Sequence, residues 1–163
     1  MRTGLFIGRF QPFHLGHLED VRRILQECDR ALIAIGSAQI AGTKENPWSA
    51  AQRELLIRAA LLESGVIAYD IVLLEDMPDN DTWLSQVQGL DFDSAYTGND
   101  YVAGLLQGAG ITVVRLELLP HISGTIIREM RSPDGKWRTL VPSAVASLLA
   151  TKEFFLRLQH QKA

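Results

Sequence analysis

Two histidines three residues apart, His14 and His17, lie in a short proline-containing segment that begins with Gly8 and Arg9. An apolar run at residues 5–7 precedes this segment, and a pattern typical of a helix follows it. Backbone N–H groups at the start of a helix are unpaired and carry partial positive charge, so they favour an anion such as phosphate. Imidazole and guanidinium groups would add charge-assisted hydrogen bonds to that anion. The segment therefore predicts a phosphate-binding loop between a strand and a helix.

The composition limits what else the chain could be. Its 163 residues are 47% hydrophobic and 21% charged, which is typical of one folded domain, and we expect that domain to cover residues 1–163. The net charge of −3 argues against general nucleic-acid binding, so any anion site is local. The single cysteine, Cys28, leaves no internal disulfide. Short apolar runs and an N-terminus unlike a secretory leader predict a cytoplasmic protein without a membrane span.

Short apolar runs alternate with longer helical patterns along the chain. Strands are predicted at residues 3–8, 31–35, 71–74, 93–97 and 112–116. Helices are predicted at 16–28, 49–64, 81–89 and 99–108, with short helices that begin near Ser123 and Pro142. A turn is expected at 132–135 and a helical C-terminus that packs through Phe154, Phe155 and Leu158.

The second helix has the clearest start signal. Ser49 is its predicted N-cap, and Gln52 completes a capping box three residues later. The residues expected to face inward from this helix are Leu55, Leu56, Ala59 and Leu62.

Alternating strands and helices with nearly continuous apolar strands predict an α/β fold with a parallel sheet covered on both faces. We expect a Rossmann-like, doubly wound, five-stranded sheet with a helical C-terminus, in which strand four lies beside strand one. Ligands of such sheets bind outside the carboxyl ends of the strands, where the winding reverses. The segment from Gly8 to His17, the pair Gly36-Ser37 and residues 97–99 are therefore expected to line one crevice.

Two motifs at opposite ends of the chain indicate a family. The sequence contains no G-x-x-x-x-G-K-[ST], no complete dinucleotide fingerprint and no G-x-S-x-G elbow. It does contain His14-x-Gly16-His17 and Ile122-Ser123-x-Thr125-x-x-Arg128. These resemble the H-x-G-H and I-S-x-T-x-x-R signatures of the nucleotidyltransferase superfamily. The longer first motif, which starts at Gly8, resembles more narrowly the archaeal-type nicotinamide mononucleotide (NMN) adenylyltransferases. Further matches lie at residues 36–39, 45–47, 80–83, 97–99, 136–137 and 140–142.

The resemblance implies that ATP and NMN react to give NAD and pyrophosphate. The attacking 5′-phosphate oxygen of NMN is already ionised at neutral pH, so the reaction needs neither a protein base nor a covalent intermediate. Catalysis then consists of bringing two polyanions together and stabilising charge on the phosphoryl oxygens. Mg²⁺ is expected to arrive bound to the substrate phosphates and not in a protein metal site. The resemblance also implies a symmetric assembly of several copies.

The same resemblance implies which residues hold ATP. His14 and His17 bind its phosphates, with His17 nearer the α-phosphate, Arg9 orients phosphate, and Arg128 holds the β- and γ-phosphates. Ser123 and Thr125 add hydroxyl groups at the start of a helix. The remaining residues expected at ATP are Gly8, Phe10, Gly16, Asn99 and Ile122.

For NMN, the resemblance implies that Trp83 stacks on the nicotinamide ring and that Asn80 binds the carboxamide. Gly36 and Ser37 are expected to contact the same substrate.

Other interpretations of these residues remain open. Ser123 and Asn99 could act only as helix caps, Asn80 could be a turn residue, and Trp83 a core aromatic. A related enzyme of the superfamily could use phosphopantetheine, glycerol phosphate or flavin mononucleotide as acceptor. A protein that binds nucleotide without catalysis is a further alternative. Trp48 and Trp137 are interpreted as packing residues.

Overall fold

The computed structural model describes residues 1–130 and 135–154. The strands are β1 (Thr3–Gly8), β2 (Arg30–Ile35), β3 (Tyr69–Leu73), β4 (Ser94–Thr97) and β5 (Val113–Arg115). The helices are α1 (Leu15–Glu27), α2 (Ala50–Glu63), α3 (Asn80–Gln88), α4 (Asp100–Gly108), α5 (Gly124–Glu129) and α6 (Ser143–Leu149), and a 3₁₀ helix covers Lys136–Leu140. None of the helices in these ranges is long and apolar enough to cross a membrane.

All five strands form one parallel sheet in the order β3-β2-β1-β4-β5. The sheet confirms the predicted α/β fold, and β4 lies beside β1 as expected. The winding reverses between these two strands, which is where doubly wound sheets bind their ligands. Because β1 is the central strand, the loop that follows it leaves the sheet at this point.

The chain forms two compact units, each built from three segments. The first, the sheet unit, contains residues 1–8, 20–38 and 68–118. Its core is an apolar cluster from strands and helices, against which the partly buried Trp83 packs. The fully buried members of this cluster are Leu5, Leu32, Ala34, Leu74, Val87, Ala95 and Leu106.

The second unit, the loop unit, contains residues 9–19, 39–67 and 119–163. Its α2 begins at the predicted capping box, because Ser49 accepts from the Gln52 N–H and the Gln52 side chain accepts from the Ser49 N–H. At the other end of α2, the Glu63 carboxylate accepts from the Ser143 hydroxyl and the Ala144 N–H at the start of α6. Helix α2 is thus fixed at both ends by polar contacts within the loop unit.

The inward face predicted for α2 is partly wrong. Leu56 is buried, but Leu55 is 48% exposed and Leu62 is 81% exposed. The buried stripe of α2 is instead Gln52, Arg53, Leu56, Ile57, Ala60 and Leu61. The prediction assumed that only apolar residues face inward, and it therefore assigned the wrong residues to the buried face of α2. The actual buried face contains a polar and a charged side chain.

At the C-terminus, Phe154 is buried as predicted. Phe155, Leu158 and most of the predicted turn at 132–135 lie outside the described residues.

Substitution by alanine is expected to have opposite effects on stability at Gly4 and at Gly104. A Cβ at Gly4 would lie 2.7 Å from the Ile24 Cγ2 atom and 2.9 Å from the Tyr96 ring, whereas a Cβ at Gly104 meets nothing within 4 Å. We expect Gly4→Ala to destabilise the protein by about 1–3 kcal/mol through overpacking. Gly104→Ala, at an exposed position of helix α4, should stabilise the protein by about 0.5–1 kcal/mol. Urea unfolding of both variants measures the effects, and equal stability of Gly4→Ala and wild type would contradict the packing argument.

Candidate active site

The loop between β1 and α1 is held by aromatic side chains. Phe10 and Phe13 are buried, and both rings contact the imidazole of His17, at centroid distances of 4.8 and 5.4 Å. Phe10 has a left-handed backbone with φ of 52°, which is uncommon for a residue with a side chain. Such a conformation persists only where the surrounding packing determines it, and here the buried ring does so.

The two motif histidines form a stacked, mutually hydrogen-bonded pair. Their rings are 3.6 Å apart with an interplanar angle of 18°. The His14 N–H donates to Nδ1 of His17 at 3.2 Å, and the His17 N–H donates to Nδ1 of His14 at 3.3 Å. A neutral imidazole whose Nδ1 accepts a hydrogen bond carries its proton on Nε2. Each ring therefore has an Nε2–H group that can donate to an anionic oxygen.

Both rings are neutral at physiological pH. Burial lowers the pKa of His14 to about 4. Burial also lowers the pKa of His17 well below its usual value, and the neighbouring His14 lowers it further. A phosphate oxygen would supply the charge in a hydrogen bond to these rings, which remains charge-assisted because the acceptor is ionised. The pair can thus act as two directed donors.

Gly16 leaves room for this pair. A Cβ at Gly16 would lie 3.1 Å from both Cε1 and Nδ1 of His14, closer than almost all real contacts of that kind. An alanine at this position would require the His14 ring to shift by a few tenths of an ångström. The glycine of the motif therefore accommodates the observed position of the first histidine without such a shift.

Arg128 joins the late motif to the loop. Its Nη1 donates to the Gln11 carbonyl at 2.6 Å, and its Nη2 donates to the Thr125 hydroxyl at 3.2 Å. Burial lowers the pKa of Arg128, and the positive charge of Arg9 lowers it further. A Cβ at Gly124 would lie 2.8 Å from the Gln11 carbonyl oxygen and 2.9 Å from Nη1 of Arg128, so this glycine admits the contact.

Two other residues of the late motif have structural contacts. Ser123 caps α5, since its hydroxyl accepts from the Ile126 N–H at 3.1 Å. The Ile122 N–H donates to the Leu119 carbonyl at 3.4 Å. The whole late motif belongs to the loop unit, which also contains Arg9, Phe10 and both histidines.

Two residues that hold the loop, Gln11 and Arg53, were not predicted from the sequence. The Gln11 side chain donates to the Trp48 carbonyl at 2.9 Å and accepts from the Trp48 N–H at 3.1 Å. Arg53 on α2 donates through Nη1 to the Arg9 carbonyl at 2.9 Å. The sequence gives one indication that Arg53 is buried, namely its helical spacing with the other buried positions of α2, which are 52, 56, 57, 60 and 61. A charged residue within this set makes the spacing hard to recognise as a buried face.

The remaining predicted residues belong to the sheet unit. The Gly36 N–H donates to the Gly8 carbonyl at 2.8 Å, joining the carboxyl ends of β2 and β1. Ser37 has a φ of 47° and donates its hydroxyl to Asp76 at 3.0 Å. Asn99 caps α4, because its side chain accepts from the Val102 N–H at 3.1 Å.

The two residues expected at the nicotinamide ring lie on α3. Asn80 is exposed, and its amide exchanges hydrogen bonds with the Tyr101 hydroxyl at 2.9 and 3.1 Å. Trp83, one turn further along, packs one side against the core of the sheet unit and stays partly exposed. Asn80 is thus a helix residue rather than a turn residue, and Trp83 is both a packing residue and an accessible aromatic surface.

No group of three His, Cys, Asp or Glu side chains within 1–130 and 135–154 is arranged to hold a metal ion.

The neutral state of His14 predicts a pH-dependent stability. The unfolded chain binds a proton at His14 near pH 6.5, but the folded chain binds it only near pH 4. The contribution of His14 to the free energy of unfolding is therefore fully present above pH 6.5. As the pH falls from 6.5 toward 4, the free energy of unfolding decreases by an amount of the order of 3 kcal/mol. In urea unfolding between pH 4 and 7, His14→Asn should flatten the profile relative to wild type. The exposed control His121→Asn should not, and identical profiles for His14→Asn and wild type would refute the assignment.

Comparison with known proteins identifies the family. The model described as cytidylyltransferase-like matches residues 5–130. A nicotinamide-nucleotide adenylyltransferase from Picrophilus torridus is 43% identical over 147 residues, covering 88% of this chain and 87% of its own. A protein of the same name from Haloarcula marismortui is 37% identical over 161 residues, covering 96% of this chain and 85% of its own.

Solved structures agree on the fold. A bifunctional NMN adenylyltransferase/ADP ribose pyrophosphatase from Francisella tularensis matches with a TM-score of 0.77 at 18% identity, over 99% of this chain and 53% of that one. Its complex with AMP and a Mn ion matches with a TM-score of 0.71 at 21% identity, with the same coverage. This chain therefore spans about half the length of that bifunctional protein. With the sequence relatives, these findings confirm the family expected from the two motifs: the chain belongs to the cytidylyltransferase-like family and, within it, to the nicotinamide-nucleotide adenylyltransferases.

Proposed function

We propose that this protein transfers the adenylyl group of ATP to nicotinamide mononucleotide, forming NAD and pyrophosphate. The observation that carries the proposal is the assembly in one unit of Arg9, the stacked histidine pair and Arg128. These are donors and cations suited to a polyphosphate, and relatives of that name match most of the chain. We further propose that residues 1–163 act as one nucleotidyltransferase domain, and symmetric assembly and a cytoplasmic location stay predictions.

The chemistry requires little of the protein beyond positioning. An ionised 5′-phosphate oxygen of NMN attacks the α-phosphorus of ATP, a new P–O bond forms, and the bond to the leaving pyrophosphate breaks in line. Nε2–H of His17 is assigned to the α-phosphate and that of His14 to the neighbouring phosphate oxygens. Because both rings are neutral before substrate binds, they offer directed donors without repelling each other.

The arginines hold the two ends of the phosphate chain. Arg9 is exposed and can orient the phosphate of either substrate, and Arg128 holds the β- and γ-phosphates while it stays bonded to the Gln11 carbonyl. Ser123 and Thr125 contribute hydroxyl groups, of which Thr125 already contacts Arg128. Gly8, Phe10, Gly16, Asn99 and Ile122 complete the proposed ATP contacts.

NMN is assigned to residues of the sheet unit. The exposed part of Trp83 provides a flat surface for the cationic nicotinamide ring. Asn80 provides both a donor and an acceptor for the carboxamide, and Gly36 with Ser37 contact the same substrate.

Divalent metal is proposed to enter with the nucleotide. The neighbouring structure with AMP and a Mn ion supports divalent-metal use, and we propose Mg²⁺ bound to ATP as the substrate form. The metal-bound phosphates would then be oriented by the donors and cations of the loop unit.

The choice of acceptor can be tested directly. With ATP and Mg²⁺, we expect pyrophosphate release with NMN and none with phosphopantetheine, glycerol phosphate or flavin mononucleotide. Nicotinic acid mononucleotide should bind more weakly than NMN, since its carboxylate offers Asn80 no donor. A coupled pyrophosphate assay with each acceptor measures this, and turnover on phosphopantetheine without turnover on NMN would reject the proposal.

Removal of one phosphate donor tests the role of the histidine pair. His17→Ala should lower turnover by roughly 10²–10³, the usual cost of one donor to a developing anion, while the protein stays folded at the assay temperature. The control is His121→Ala, an exposed histidine of the same unit, which should retain full turnover. Steady-state kinetics with a thermal melt separates the outcomes, because loss of activity together with unfolding would indicate a structural role.

A further inference from the structure

Arg53 is a guanidinium buried in the loop unit. It lies on α2 with no exposed surface. Its Nη1 donates to the Arg9 carbonyl at 2.9 Å, and its Nε donates to the Ser49 carbonyl at 3.4 Å. The first of these bonds reaches 44 residues back to the phosphate-binding loop.

Packing does not account for a charge at this position. The buried face of α2 is otherwise formed by Gln52 and by aliphatic residues, and an aliphatic side chain at position 53 would fill the same interior. Taking a guanidinium out of water is costly, and partners for its charge and its N–H groups offset that cost. The bond to the Arg9 carbonyl means that this buried cation acts directly on the backbone of the loop.

A second guanidinium, that of Arg128, also donates a hydrogen bond to a backbone carbonyl of this loop. Arg128 donates to the Gln11 carbonyl at 2.6 Å, two residues beyond the carbonyl that Arg53 holds. The Gln11 side chain is itself paired with the backbone of Trp48. Carbonyl oxygens carry partial negative charge and would repel a triphosphate. Two of the carbonyls in this loop, those of Arg9 and Gln11, are instead each bonded to a cation.

We propose that Arg53 is a positioning residue for the triphosphate of ATP, fixing the Arg9 peptide and adding a permanent positive charge next to the loop backbone. The inference rests on the proposed function, since it assigns the anion of that same loop. It requires that loss of Arg53 weakens the binding of ATP more than the binding of NMN, because the other contacts of NMN are assigned to the sheet unit. It also requires that the salt dependence of ATP binding falls when the charge is removed, because fewer cations then act on the phosphates.

The test uses the full chain with three substitutions at Arg53 and a matched control. Arg53→Met removes charge and donors, Arg53→Gln keeps a neutral donor, and Arg53→Lys keeps the charge. The control, Arg58→Met, removes an exposed arginine of the same helix that pairs with Glu54. Calorimetric titration with MgATP in the absence of NMN, at two salt concentrations, measures affinity. Steady-state kinetics measures KM for each substrate and kcat.

We expect Arg53→Met to weaken ATP binding at least tenfold and to reduce its salt dependence, with a smaller change in the KM for NMN. Arg53→Lys should recover part of the ATP affinity and Arg58→Met should match wild type. If Arg53→Met binds ATP as wild type does and only melts at a lower temperature, Arg53 is structural and the inference fails. Should Arg53→Met not fold, equal ATP affinity in the Lys and Gln variants overturns it, and tighter binding by Lys supports it. Failure of the wild type to form NAD would instead reject the proposed function, whatever the Arg53 variants do.

Discussion

The hydrogen bond from Arg128 to the Gln11 carbonyl is the contact on which the arrangement of the phosphate-binding residues depends. It joins segments that lie 117 residues apart in the sequence. Two adjacent features make it possible, since Gly124 leaves space for the guanidinium and the Gln11 side chain is held by the backbone of Trp48. The same bond gives a partly buried guanidinium a carbonyl acceptor, which offsets part of the cost of burying its charge. This bond therefore connects the two motifs directly.

The histidine pair shows how burial changes the role of a side chain. Histidines beside a phosphate suggest cations, but close stacking and a buried position disfavour two adjacent charges. The backbone then determines the remaining chemistry, because each Nδ1 accepts an N–H and each proton is directed to Nε2. Positive charge at the site comes instead from guanidinium groups, which remain charged when buried. Directed neutral donors and permanent cations are thus supplied by different residue types.

Much of the fold was predictable because it follows from local patterns. Apolar runs marked the strands, and the Ser49–Gln52 box marked the start of α2, since both signals depend only on neighbouring residues. The position of β4 beside β1 was predicted from right-handed crossovers and the usual doubly wound order. The inward face of α2 was predicted wrongly because residue type was taken as a guide to burial, whereas Arg53 is buried and Leu62 is exposed. A charged residue can be buried where partners are available to it, and one partner of Arg53 is the Arg9 carbonyl, 44 residues away in the sequence.

The sequence alone determined the parallel α/β fold, the two motifs and the family to which they point, because each is encoded in the order and spacing of nearby residues. Only the tertiary structure decided which groups hold the loop: Arg53 on the Arg9 carbonyl, Arg128 on the Gln11 carbonyl, and Gln11 on Trp48. It also decided that the histidines are neutral and that Gly16 leaves space beside the His14 ring. These properties depend on burial and on contacts between segments distant in sequence, and neither quantity is a property of a local stretch of chain.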